Sequence, residues 1–305
     1  MITRPRPKRF RLRRTMLFMS AQEPGLIKDA YIYSCDSIII DLEDAVAENQ
    51  KDSARFSLYH AMKSIDYGDT EIIVRINGLD TPYWEEDIRV CVAAGVDGIR
   101  IAKCESAKDV KTVEAAVERA EREFCTEVGR TLLMAALESP KGILNAYEIC
   151  SASQRMFGVA ISGGDLRKYL HTSFQPNGID MLAARGQILL AARAAGIQCF
   201  DSVFTDLDNE EGFEAEVRQN KAMGFDGKSL INPRQIRLVH EIFVPTEMEI
   251  RQAERIVLAI REQSKSGIGV FTLDGKMIDI AFLAGAERIL HLAKSSGLYK
   301  GDLVE

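Results

Sequence analysis

The sequence predicts an α/β fold, a (β/α)8 TIM barrel with a C-terminal helix–hairpin–helix appendage. Short β-rich runs alternate with longer helical patterns, the mark of βαβ units feeding a parallel sheet. The runs are apolar on both faces, as strands covered on each side must be. Eight such units end near residue 243, and barrels of this kind commonly run to about 250 residues. An open doubly wound sheet is the competing architecture. It is weakened because Gly163-Gly164 is not part of a G-x-G-x-x-G phosphate-binding fingerprint.

The elements follow in order. TMLFMS (15–20) reads as the first strand and SIIIDLED (37–44), ending in acids, as the second. A helix of alternating polarity covers 48–65 before the third strand, EIIVRIN (71–77). Helix 83–94 leads to GIRIAK (98–103), and a long charged helix covers 106–127. TLLMAALES (131–139) and a helix through Ile149 precede RMFGVAISGGD (155–165). Helix 179–195 leads to QCFDSVF (198–204), and helix 209–223 leads to DGKSLIN (226–232). A last barrel helix begins near Pro233. The domain reading is a basic arm over 1–14, a barrel over 15–243 and an appendage over 244–305.

The appendage breaks the repeat. Thr246 with Glu249 three residues later forms a capping-box signature for a helix over 244–266. Asp274-Gly275 marks a tight turn between two short β runs within 267–279, and a helix covers 280–296. Such an appendage serves as a lid or as an arm reaching a neighbouring subunit.

Composition removes several function classes. The chain has 305 residues, 46% of them hydrophobic, enough for a large core. A net charge of −6 argues against a nucleic-acid partner, which calls for a basic surface. No apolar run is long enough to span a membrane. The six cysteines form no C-x-x-C pair and read as buried free thiols of a reducing, cytoplasmic compartment. The first fourteen residues carry seven basic side chains and no acid, without the apolar core of a secretory signal. They read as a solvated basic arm.

Chemistry in a TIM barrel sits at the C-terminal ends of the strands. Asp41, Glu43 and Asp44 end the second strand, Arg75 and Asn77 the third, Lys103 the fourth, Glu138 the fifth and Asp165 the sixth; Lys228 and Asn232 belong to the eighth. Polar groups thus converge on one rim. Glu138 and Asp165 stand on adjacent strands, where two unpaired carboxylates repel unless one is protonated. A hard cation such as Mg2+, which takes one or two carboxylates plus waters and substrate oxygens, resolves the repulsion. Helix capping is the alternative role for both acids. Arg75 in an apolar strand reads as a bidentate clamp on a substrate carboxylate, as an ion-pair partner of Asp41, Glu43 or Asp44, or as both. Lys103 reads either as a Schiff-base lysine or as a countercharge. His60, His171, His240 and His291 lie away from the strand ends. Asp279 reads as a helix cap from its own surroundings.

At these residues the sequence resembles the CitE-like citrate lyase beta branch of the HpcH/HpaI aldolase superfamily. The resemblance runs from RRTMLF (13–18) to the last helix and is carried by DLEDAVA (41–47), VRINGLD (74–80), AALESP (135–140), ISGGD (161–165), AARAAGI (191–197), GFDGKSLINPRQI (224–236) and LDGKMID (273–279). It implies Mg2+ on Glu138 and Asp165, substrate contact by Arg75 and Glu138, and an acid/base role for Asp279 in a neighbouring subunit's site. Glu43 and Asp44 are then expected to orient Arg75 or the cation's waters. The activity it implies is cleavage of a citryl thioester, carried on an acyl-carrier protein or coenzyme A, to oxaloacetate and an acetyl thioester. Its implied partners are alpha and gamma citrate lyase subunits and further copies of this chain, with a trimer among the arrangements. A malyl-CoA or citramalyl-CoA lyase would use the same motifs, and a non-catalytic assembly subunit is the reading from another class. The chain departs from the family pattern at Ser20-Ala21 for Pro-Gly, Gly164 for Glu, Cys104 for Thr, and at Ile280-Ala281, which lack the usual Pro.

Overall fold

The computed structural model describes residues 4–304. Eight parallel strands close into a barrel in sequence order. They are β1 (Thr15–Ser20), β2 (Ser37–Asp41), β3 (Glu71–Ile76), β4 (Gly98–Ile101), β5 (Leu132–Leu137), β6 (Met156–Ile161), β7 (Gln198–Asp201) and β8 (Gly227–Leu230), and β8 pairs back onto β1. The TIM barrel is therefore observed. The first strand ends where the sequence places it, and each of the other seven stops one to four residues early, because the polar residues that follow turn into rim loops. The intervening helices are α1 (Pro24–Lys28), α2 (Lys51–Ser64), α3 (Trp84–Ala94), α4 (Ala107–Glu123), α5 (Pro140–Leu144), α6 (Ala146–Ser151), α7 (Gly163–Tyr169), α8 (Leu182–Ala195), α9 (Glu210–Met223) and α10 (Gln235–Phe243). Helices α1 and α7 lie in stretches the sequence pattern leaves unassigned or gives to a strand.

The interior is filled by one residue in two from successive strands. Met16, Ile39, Ile73, Leu132, Met134, Phe157, Ala160 and Phe200 form one fully or nearly fully buried cluster, with Phe18 packed on it. Fully burying side chains of this size contributes about 1.5–3 kcal/mol each. Such a plug makes the barrel a rigid mount for its upper rim.

The basic N-terminal segment is not a solvated arm. Arg4 pairs with Asp97 at 2.6 Å, Arg13 with Glu71 at 2.7 Å and Arg14 with Asp36 at 2.8 Å. These acids lie at the starts of β4, β3 and β2, so the segment is neutralised across the N-terminal end of the barrel. Gly227 admits the chain there, since a Cβ on it would meet the Arg13 carbonyl oxygen at 2.0 Å. Five cysteines are buried as expected, but Cys125, in the turn after α4, is exposed.

The chain divides into two compact units, one reaching His240 and the other starting at Glu241. The second unit holds α11 (Glu247–Lys265), a hairpin of β9 (Val270–Leu273) and β10 (Lys276–Asp279), and α12 (Ala281–Ser295). The Thr246–Glu249 capping box forms in both directions. Ile250, Val257, Leu290 and Ala293 pack α11 against α12. Among the described residues, no helix is long and apolar enough to cross a membrane.

Candidate active site

The rim at the strand C-termini gathers seven charged residues singled out from sequence. Asp41 closes β2 and is 1% exposed. Arg75, beside it in register on β3, donates from Nε to Asp41 Oδ1 at 2.7 Å and from Nη2 to Oδ2 at 2.6 Å. Its Nη1 lies 2.8 Å from Glu43. The ion-pair and clamp readings of Arg75 are thus compatible: Asp41 fixes the plane of the guanidinium, and its edge lines a cavity of about 330 Å³ at the barrel mouth. Burial works against both charges, yet the pairing wins, lowering the Asp41 pKa and raising that of Arg75.

Glu43 bridges two cations, Arg75 at 2.8 Å and Lys103 at 2.7 Å, with angles that miss hydrogen-bond geometry. Burial still lifts its carboxyl above the ordinary range. Asp44 lies further out, 59% exposed and 3.4 Å from the Lys103 ammonium. Lys103 is burdened by desolvation, but Glu43 and Asp44 raise its pKa. An ammonium held charged in this way is the opposite of a Schiff-base lysine, so the countercharge reading holds. Lys103 adopts a left-handed backbone, φ 48°, from which its N–H donates to Glu138 Oε1 at 3.1 Å. A non-glycine residue held there is unusual and fits a position the site over-determines.

Glu138 follows β5 and is 3% exposed. Burial, with the charge of Glu43 added, raises its pKa against the pull of Arg75. Asp165 belongs to the first turn of α7 and not to a strand, because β6 ends at Ile161 and Ser162 opens the helix. Among the described residues no hydrogen bond or ion pair reaches its carboxylate, so it accepts no capping hydrogen bond, although its first-turn place suits the dipole of α7. Glu138 and Asp165 line one cavity of about 530 Å³ together with Lys103, Lys141, Lys168 and Tyr169. Among the described residues no group of three metal-binding side chains occurs. Two oxygen donors, one buried and one partnerless, facing one cavity are what a magnesium ion needs when waters and substrate supply the rest. The residues fit the ion. Gly164 has open space around its Cβ position, so its lack of a side chain costs the site no packing.

Lys228 does not belong to this rim. Its ammonium is fully buried on the outer side of the sheet, 2.8 Å from Asp201 and 2.6 Å from Glu216, and donates to the Ser202 carbonyl. Asp279 lies in the second unit at the end of β10, where Oδ1 accepts the Ala281 N–H at 2.9 Å. One residue escaped the sequence reading. Arg100, in register with Arg75 on the next strand, is 2% exposed and lines the same mouth cavity. The signal that singled out Arg75, a lone cation inside an apolar strand, is present in GIRIAK too.

The family profile described as HpcH/HpaI aldolase/citrate lyase matches residues 14–233. The chain belongs to the HpcH/HpaI aldolase/citrate lyase family. A second profile, C-C bond lyase of the TIM-barrel fold, matches residues 181–298 and so takes in most of the second unit. Within the family, the chain is 47% identical to citrate lyase subunit beta of Leuconostoc mesenteroides subsp. cremoris, over 97% of this chain and 98% of that one. It is 35% identical to a (3S)-malyl-CoA thioesterase of Cereibacter sphaeroides, over 95% and 97%. Among solved structures, CitE of Mycobacterium tuberculosis in complex with magnesium, acetoacetate and coenzyme A superposes with a TM-score of 0.74 at 30% identity, covering 92% of this chain and 98% of that one.

Proposed function

We propose that this chain is the beta subunit of a citrate lyase, a magnesium-dependent lyase that cleaves a citryl thioester to oxaloacetate and an acetyl thioester. The observation that carries the reading is the convergence of Glu138 and Asp165 on one cavity, the first holding a single backbone N–H and the second no partner among the described residues. Cleavage breaks the bond between the hydroxyl-bearing carbon and the methylene of the thioester arm. The hydroxyl loses a proton and becomes the ketone of oxaloacetate, the bonding pair stays on the methylene as a thioester enolate, and that carbon gains a proton.

Glu138 and Asp165 would hold the magnesium, which when bound supplies Lewis-acid polarisation of the hydroxyl that must become a ketone. Arg75, its plane set by Asp41 and its charge shared with Glu43, orients a carboxylate of the oxaloacetate half. Glu43 positions Arg75 and Lys103, and Asp44 acts through Lys103. Asp279, carried on the second unit, serves a neighbouring copy by protonating the enolate carbon. Of the lysines on the outer cavity, Lys103 and Lys141 pair with Glu43, Asp44 and Glu105, which leaves Lys168 to meet a phosphate of coenzyme A or of a carrier-bound pantetheine arm. Alpha and gamma subunits would supply acyl exchange and the carrier.

The similarity to a malyl-CoA thioesterase supports a second reading, a coenzyme A hydrolase or lyase for a smaller hydroxy acid on the same rim. Turnover of citryl-CoA and malyl-CoA by the isolated chain, with magnesium and with EDTA, decides between them. Citryl-CoA cleavage that EDTA stops is the expected result; cleavage of malyl-CoA alone favours the second reading, and no turnover of either removes both.

A further inference from the structure

Arg75 and Arg100 occupy paired positions on β3 and β4, with their Cζ atoms 5.1 and 5.0 Å from the centroid of the same Phe18 ring. Their partners differ. Arg75 has two carboxylates at 2.6–2.8 Å. Arg100 has a single long hydrogen bond, from Nη1 to Ser229 Oγ at 3.4 Å, and its buried Nε has no partner. Among the described residues no carboxylate lies within ion-pair distance of it. Burial, with the Arg75 charge added, outweighs the more distant carboxylates of Glu138, Asp41 and Glu43 and pushes its pKa down to about 10, which leaves it charged at neutral pH. A charged group buried without a counterion is costly, and proteins retain one where a ligand supplies the counterion. The cavity in front of it is lined with hydroxyls from Ser162, Ser202 and Ser229.

We propose that Arg100 receives a second carboxylate of the substrate and so sets the preference of this site for a keto diacid over a keto monoacid. The inference rests on the hydroxyacyl-thioester reading above and adds its specificity. A citryl thioester has two free carboxylates, one beside the hydroxyl and one on the far methylene, whereas a malyl thioester has one. Arg75 is already compensated by Asp41 and Glu43 and needs no further anion for its charge. Arg100 does need one, and it lies one strand over on the same face, where the second carboxylate of a short diacid can reach while the first sits at Arg75.

The test compares wild type with Arg100→Gln, and with Arg100→Met should the amide fail to fold. Calorimetric titration in magnesium measures affinity for oxaloacetate and for pyruvate, and turnover is measured with citryl-CoA and malyl-CoA. The expected result is a shift of at least about 30-fold in the oxaloacetate-to-pyruvate affinity ratio towards the monoacid, as for the loss of one partner in a buried charge pair. The ligand-free variant should melt no lower than wild type, because an uncompensated charge has been removed. Equal losses for both acids, an unchanged ratio, or a lowered melting temperature would overturn the proposal. The two readings fail separately. Citryl-CoA cleavage unaffected by the substitution sinks Arg100 and spares the lyase, while an altered binding ratio in a chain that cleaves neither thioester does the reverse.

Discussion

Two clusters of acids and bases lie on opposite faces of the same sheet, and only one has all its charges paired. On the outer face, Asp201 takes both Arg185 and Lys228, Glu216 takes the same two cations, and Asn220 donates to Asp201 at 2.6 Å. Every charge there has an opposite charge beside it, although Arg185 Nη1 and Asn220 Oδ1 are buried without a hydrogen bond. At the barrel mouth the cluster stays open: Asp165 has no partner, Glu138 has one backbone N–H, and Arg100 has one long contact to a serine. Glu138 and Arg100 are as buried as the outer cluster, so burial does not separate structure from function. Saturation does. A closed network stabilises the wall, and an open one keeps valences for a cation and an anionic substrate.

Substitutions should divide along the same line. The largest effect is expected at Glu138→Ala or Asp165→Ala, with lyase turnover falling by at least about 10²–10³-fold while circular dichroism and melting stay near wild type. Normal turnover in either would close the comparison. Lys228→Met attacks the other face and leaves Asp201 and Glu216 short of a cation, which costs about 3–5 kcal/mol as for a broken buried pair. Chemical denaturation should show that loss, with turnover per folded molecule retained. Arg75→Lys keeps the charge but not the fork, and should weaken oxaloacetate binding about 10-fold; unchanged affinity in a titration would remove the clamp.

Acid gives the smallest and most diagnostic difference. Burial alone would raise the Asp201 carboxyl, but Lys228 and Arg185 outweigh it and hold it far below the ordinary carboxylate range. A depressed native pKa contributes stability that is present above the unfolded value and lost as pH falls through the native one. The stability gap between wild type and Asp201→Asn should therefore be full at neutral pH and narrow below about pH 4. A gap that stays constant with pH would mean that the cluster's charge contributes nothing.

Much of this was legible in the sequence. The barrel followed from eight apolar runs and their spacing, and the rim acids from their place after each run. Two placements went wrong for reasons of geometry. Asp165 was extended onto a strand because Ser162-Gly163-Gly164 resembles strand continuation, whereas the chain turns there into a helix. Lys228 was put on the rim because rank along the strand was read without its parity. Successive strand residues face opposite sides, so Ser229 points to the mouth cavity and Lys228 to the outer network. The same parity puts Arg100 on the inner face with Arg75. The fate of the N-terminal arginines was not legible, since their partners Asp97, Glu71 and Asp36 lie 22–93 residues away.

The central claim is that Glu138 and Asp165 together hold magnesium. Calorimetric titration of Mg2+ into the chain with oxaloacetate present tests it most directly, on wild type, Glu138→Gln and Asp165→Asn, variants that keep shape and remove one charge each. Saturable binding by wild type and its loss in both variants is the predicted result. Equal magnesium affinity in all three proteins would contradict it.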